Sequence, residues 1–271
     1  MAMITLSDGT PLYYRDEGRG PVLVLLQGLM LTVNGFWTKN FDELSKSCRV
    51  IAIDHRSHGL SGKPSGPHSI KQCAEDLKEV LDTLAVDDVT LAGVAFGAMV
   101  AFEYRRLFGD HRLARLAIIE AQVRLTNDEG WEHPTFGDFP AEAGAGFIEA
   151  SKQSREPLTG FLAGAFGTPP SDDEMARMQA EAWLTPSQAA VEYVTDMVAA
   201  DYRGDLSSIG LPVLLIYGRK NNVPIPTEIG GWMAEQIPNA RLERFEDSGH
   251  SPFYESPERF NTALANFASG R

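Results

Sequence analysis

Five runs of almost unbroken apolar residues stand out along the chain: Pro21 to Gln27, Arg49 to Asp54, Val89 to Gly93, Leu113 to Glu120 and Val213 to Tyr217. A strand with one wet face alternates apolar and polar residues, so runs without alternation predict strands buried on both faces. After the second run, Ile70, Cys73, Ala74, Leu77, Leu81 and Leu84 recur at helical spacing, and Ser69 followed by Gln72 reads as a capping box at the start of that helix. Strands that alternate with such helices predict right-handed crossovers and a mostly parallel sheet. The opening differs, because only Ser-Asp-Gly-Thr separates Met3–Leu6 from Pro11–Arg15, and this predicts an antiparallel hairpin. Between Arg124 and Leu211 the rhythm fails: Trp131, Phe136, Phe139, Phe147, Phe161, Phe166 and Trp183 lie among Gly, Pro and acidic residues. The expected architecture is therefore an α/β core, residues 1–123 and 212–271, flanked by helices, with 124–211 inserted over it as a helical cap or lid. Pro257 opens a last helix in the first-turn position, where its missing N–H costs nothing.

Composition changes this picture little. Hydrophobic residues make up 43% and charged residues 23% of the 271, which is ordinary globular usage. The net charge of −13, with no basic cluster, argues against nucleic acid as a partner. The apolar run from Pro21 is interrupted by Gln27 well short of a membrane span, and Met1 to Thr10 lacks a leader pattern, so no membrane association and a cytoplasmic location are expected. Cys48 and Cys73 suit small buried residues better than a disulfide framework.

The segment from Leu91 to Met99 carries the chemistry. It runs from strand directly into helix, and Gly93-Val94-Ala95-Phe96-Gly97 has the shape of the G-x-S-x-G nucleophile elbow with alanine at its centre. Together with the opening hairpin, the Gln27-Gly28 turn, the Asp54-His-Arg-Ser-His-Gly59 loop and Asp247-Ser-Gly-His250, the chain resembles the α/β-hydrolase superfamily over nearly its whole length, especially the small esterases and perhydrolases. That resemblance implies a nucleophile on the elbow, a histidine base and an orienting carboxylate. His250 matches the base. For the carboxylate two positions stay open: Asn221, which supplies an amide where the family usually has its acid, and Glu120, at the end of the strand after the elbow helix. The oxyanion hole would use the Leu29 and Phe96 amides. Gln27, Met30, Trp131 and Phe136 are candidates for contact with substrate, Gln27 being better suited to fixing its loop. His55 and His58 with Asp54 could mimic a metal set, but no third ligand converges, and no metal or cofactor is expected.

Alanine cannot attack a carbonyl. Either serine belongs at position 95 and the hydrolase of an ester, lactone, thioester or C–C bond next to a carbonyl is present in disabled form, or the alanine is natural. A natural alanine would leave a small-molecule binding protein, or a cofactor-free oxygenase or lyase using His250. In each case the expected partner is a small apolar or acyl molecule, with a homodimer as a further possibility.

Overall fold

The computed structural model describes residues 2–220 and 225–271. Its strands are β1 (Ala2–Thr5), β2 (Pro11–Gly18), β3 (Val22–Leu26), β4 (Arg49–Ile53), β5 (Val89–Val94), β6 (Leu113–Ile119), β7 (Val213–Gly218) and β8 (Ala240–Phe245). They form one eight-stranded sheet in the order β1-β2-β4-β3-β5-β6-β7-β8. The β1–β2 and β2–β4 pairs are antiparallel and every later pair is parallel. The helices are α1 (Val33–Phe36), α2 (Phe41–Leu44), α3 (Ile70–Thr83), α4 (Phe96–Phe108), α5 (Ala141–Gln153), α6 (Glu156–Gly164), α7 (Asp172–Ala182), α8 (Ser187–Ala199), α9 (Ile229–Gln236), α10 (Pro252–Glu255) and α11 (Pro257–Ala268).

Both faces of the sheet are covered, and the period-2 geometry of the strands sorts each run into two cores. Val24, Leu26, Ile51, Leu91, Ile118 and Leu215 pack on one face with Leu77 and Leu81 of α3 and Met99 of α4. Their neighbours Leu25, Val50, Ala92, Ile119 and Ile216 pack on the other with Trp37, Phe41 and, from α11, Phe260 and Leu264. The unbroken apolar runs follow from this, since neither face meets water.

Two details depart from the sequence reading. Ser69 does cap α3, accepting from the Gln72 amide at 3.1 Å, but the Gln72 side chain turns to Asp76 (3.0 Å) and leaves the capping box half made. Strand β8 carries no long apolar run, because it is an edge strand whose Arg241, Glu243 and Arg244 are not buried. Only its pairing with β7 identifies it.

Helices α5 to α8 lie between β6 and β7, and an antiparallel bridge between Arg124 and Asp201 closes the base of this insert. Helix α8 is moored to the loop that follows β4. The Tyr193 hydroxyl donates to the Arg56 carbonyl (3.0 Å), Glu192 pairs with the His68 ring (2.7 Å), and Asp196 accepts from the Ile70 amide (2.7 Å). The loop is braced in turn by Arg56, whose fully buried guanidinium bonds Asp76 at 2.6 Å.

Candidate active site

The turn at the end of β5 is sharp because three backbones meet there. A Cβ on Gly93 would lie 2.4 Å from the Gly97 carbonyl oxygen, and one on Gly97 would lie 2.5 Å from that of Leu26. Glycine at both places lets β5, β3 and the first turn of α4 touch. Between them Ala95 takes φ 48° and ψ −108°, with its amide held by the Ile119 carbonyl at 3.0 Å and its own carbonyl capping α4. A non-glycine residue in this region costs of order 1–3 kcal/mol. Ala95→Gly should therefore raise the stability of this chain by about 1 kcal/mol after the loss in unfolded-state entropy, read as a higher urea midpoint at unchanged slope.

His250 reaches the same rim from the loop after β8. Gly218 makes the approach possible, because a Cβ there would lie 2.0 Å from the Gly249 carbonyl oxygen. The His250 Nδ1 lies 3.1 Å from Oε2 of Glu120, and the other Glu120 oxygen accepts from the Gly218 amide. Both side chains are buried. Burial raises the Glu120 carboxyl above the usual range, and the bonds from His250 and Gly218 oppose that shift. A carboxylate on Nδ1 places the ring proton there and leaves the Nε2 lone pair free to take a proton. The His loop is fastened from behind by Glu255, which accepts from the amides of Gly249 and Thr168, each at 2.8 Å.

Ala95 and His250 both line a cavity of about 170 Å³ between the sheet edge and the insert. The wall is almost wholly apolar, with Phe36, Phe139, Phe147, Phe166 and Phe253 among its side chains. Phe161 of α6 stands edge-on over the His250 ring at 5.7 Å. Leu29 and Phe96 also line the cavity, and among the described residues neither amide donates to a protein acceptor. Two free N–H groups beside a strand-to-helix turn are suited to an oxygen that gains negative charge.

The structure divides the other candidates. Met30 and Phe136 line the cavity. Trp131 does not: its indole donates to the Arg124 carbonyl (3.1 Å) and its ring packs edge-on against Trp232. Gln27 does not line it either, lying fully buried behind the loop. Asn221 falls outside the described residues. His55 and His58 form no metal set, since no group of three ligand side chains converges among the described residues. Their rings instead pack against Phe96, at 5.3 and 6.0 Å, bracing the elbow from behind.

Sequence reasoning missed Glu181, which lines the cavity from α7, and Phe161 over the histidine. Both belong to the irregular insert, where no motif marks a position. It also missed a second serine–histidine–carboxylate chain: the Ser57 hydroxyl lies 2.8 Å from His68 Nε2, and His68 Nδ1 lies 2.7 Å from Glu192. Ser57 is fully buried and outside the cavity, so this chain moors α8 and meets no substrate.

Comparison with known proteins agrees with this geometry. A family model described as alpha/beta hydrolase fold matches residues 21–257. A protein of Azorhizobium caulinodans named as the carbamate hydrolase RutD is 29% identical, over 94% of each chain. Among solved structures, the esterase EaEST from Exiguobacterium antarcticum is 28% identical with a TM-score of 0.89, and a bromoperoxidase from Bacillus anthracis is 25% identical with a TM-score of 0.88; each covers 98% of both chains. With the matched region spanning most of the chain and the sheet, elbow and His250 loop arranged as described, the protein belongs to the α/β hydrolase fold family.

Proposed function

We propose that this protein is the frame of a serine-type hydrolase for an ester, lactone, thioester or C–C bond next to a carbonyl, with alanine where the nucleophile would stand. The observation that carries the reading is the buried Glu120–His250 pair, 3.1 Å apart, whose histidine lines the cavity that also presents Ala95 in its elbow conformation. With serine at 95, His250 Nε2 would take the hydroxyl proton, Glu120 would stabilise the imidazolium, and the Leu29 and Phe96 amides would hold the oxyanion. The insert would serve as a lid that keeps water from the acyl-enzyme. As written, the chain retains binding and lacks the attacking group.

Covalent labelling tests this. Treated with diethyl 4-nitrophenyl phosphate, the Ala95→Ser form should gain one diethylphosphoryl group as nitrophenolate leaves, and peptide mass spectrometry should place it at position 95. The unaltered chain should stay unlabelled there. A label found only on Ser251, which also lines the cavity, or none in the serine form, would sink the reading and favour a binding protein or His250-based chemistry without an acyl-enzyme.

A further inference from the structure

Resting on that reading, we propose that the cavity takes neutral or cationic apolar acyl compounds, and that Glu181 excludes those bearing a carboxylate. Among the described residues that form the wall, Glu181 and His250 are the only ionisable side chains, and no lysine or arginine lines it. An anionic substrate would thus lose its hydration without meeting a cation.

Glu181 is fixed there by two features. It accepts a hydrogen bond from the Thr32 hydroxyl, and Thr32 caps α1, accepting from the Gly35 amide at 3.1 Å. Its carboxylate also lies directly over Gly35, where a Cβ would come within 2.4 Å of both oxygens. The missing side chain at 35 is the seat of the carboxylate, and Gly35 itself lines the cavity. Behind α1 sits a second acid, Asp54, whose carboxyl is raised chiefly by burial and also by the charge of Glu181. Of these two acids only Glu181, presented by α7, faces the cavity with its charge. An acyl chain ending in a methyl group meets phenylalanine and methionine; one ending in a carboxylate meets the charge of Glu181 across apolar space. At an effective dielectric of about 20, one such repulsion across roughly 8 Å corresponds to about 30-fold in affinity.

The test uses the chain as it stands, so that binding is read apart from turnover. Three methyl esters compete against Nile red, a neutral fluorescent probe: methyl octanoate, methyl 8-aminooctanoate and the monomethyl ester of octanedioic acid. These differ only at the far end. Octanoate should displace the probe best, the dioate at least 30-fold less well, with the amino ester between them. Glu181→Gln keeps an acceptor for Thr32 while removing the charge; it should improve dioate binding about 30-fold, leave octanoate within about 3-fold and weaken the amino ester. Equal displacement by all three, a common factor on all three in Glu181→Gln, or displacement by none would overturn the proposal. The outcomes separate from those of the labelling: charge selection in a chain whose serine form is not labelled would leave the selectivity standing without the hydrolase, and a labelled serine form without selection would do the reverse.

Discussion

Ala95→Ser is expected to raise the rate of 4-nitrophenyl ester hydrolysis by about 10⁶-fold over the unaltered chain, the size of the loss that removing a serine nucleophile commonly causes. The expectation follows from the proposed reading and from what surrounds position 95. The elbow already adopts φ 48° at Ala95, the glycines that permit it are present, and the imidazole is oriented by a buried carboxylate. A serine built on this backbone would open on the cavity that Leu29 and Phe96 also line. Adding Glu120→Gln to the serine form should then lower kcat by about 10⁴-fold, because an amide can hold the ring in the wrong tautomer and cannot stabilise its cation. Steady-state rates of the two forms beside the parent decide the matter. A serine form with the same rate as the parent would mean that His250 does not reach position 95 productively.

The second large effect is a loss of stability in acid, centred on His55 and His58. Both rings are fully buried, and desolvation lowers their pKa values to about 3 and about 4. In the unfolded chain both titrate near 6.5. A depressed folded-state pKa contributes stability that is complete above the unfolded value and is lost as pH falls toward the folded one. Between pH 6 and 4 the unfolded chain therefore binds up to two protons that the folded chain refuses, a slope of roughly 3 kcal/mol per pH unit. The histidine contribution alone is thus a large share of a typical total of 5–15 kcal/mol. The raised carboxyls of Glu120, Asp54 and Asp76 act in the opposite sense, taking up protons in the folded state as pH falls. The histidine contribution is isolated by comparison: urea midpoints of the parent and of the single variants His55→Gln and His58→Gln, measured from pH 7 to 4, should converge as pH falls. Carbon-detected imidazole spectra of the parent should show both rings neutral at pH 5. Parallel stability curves, or protonated rings at pH 5, would contradict the assignment.

What could be read from the chain alone follows from how local each signal is. The elbow, the strand ends and the Gly249-His250 loop are marked by residues adjacent in sequence, so their spacing reveals them even though distant backbones hold them in place. Glu120 was legible as a strand-end acid, but its 3.1 Å approach to His250 spans 130 positions, and only the fold brings the two together. Phe136 and Trp131 looked alike in sequence; one lines the cavity and the other packs on Trp232, a difference set by the path of an irregular segment. Glu181 lay beyond sequence reasoning because its partner is the space above Gly35, and an unoccupied volume leaves no mark of its own in a string of residues.

The shape of the elbow is held by its neighbours. Gly93, Gly97 and the bond from the Ala95 amide to Ile119 fix the turn without help from any hydroxyl at its tip. Position 95 is in that sense a socket, opening on the same cavity as His250, Leu29 and Phe96 whatever atom is plugged in. A thiol or a carboxylate placed there would be presented at the same angle to the same cavity, so one backbone could host thioester exchange or alkyl-enzyme chemistry through a single codon change.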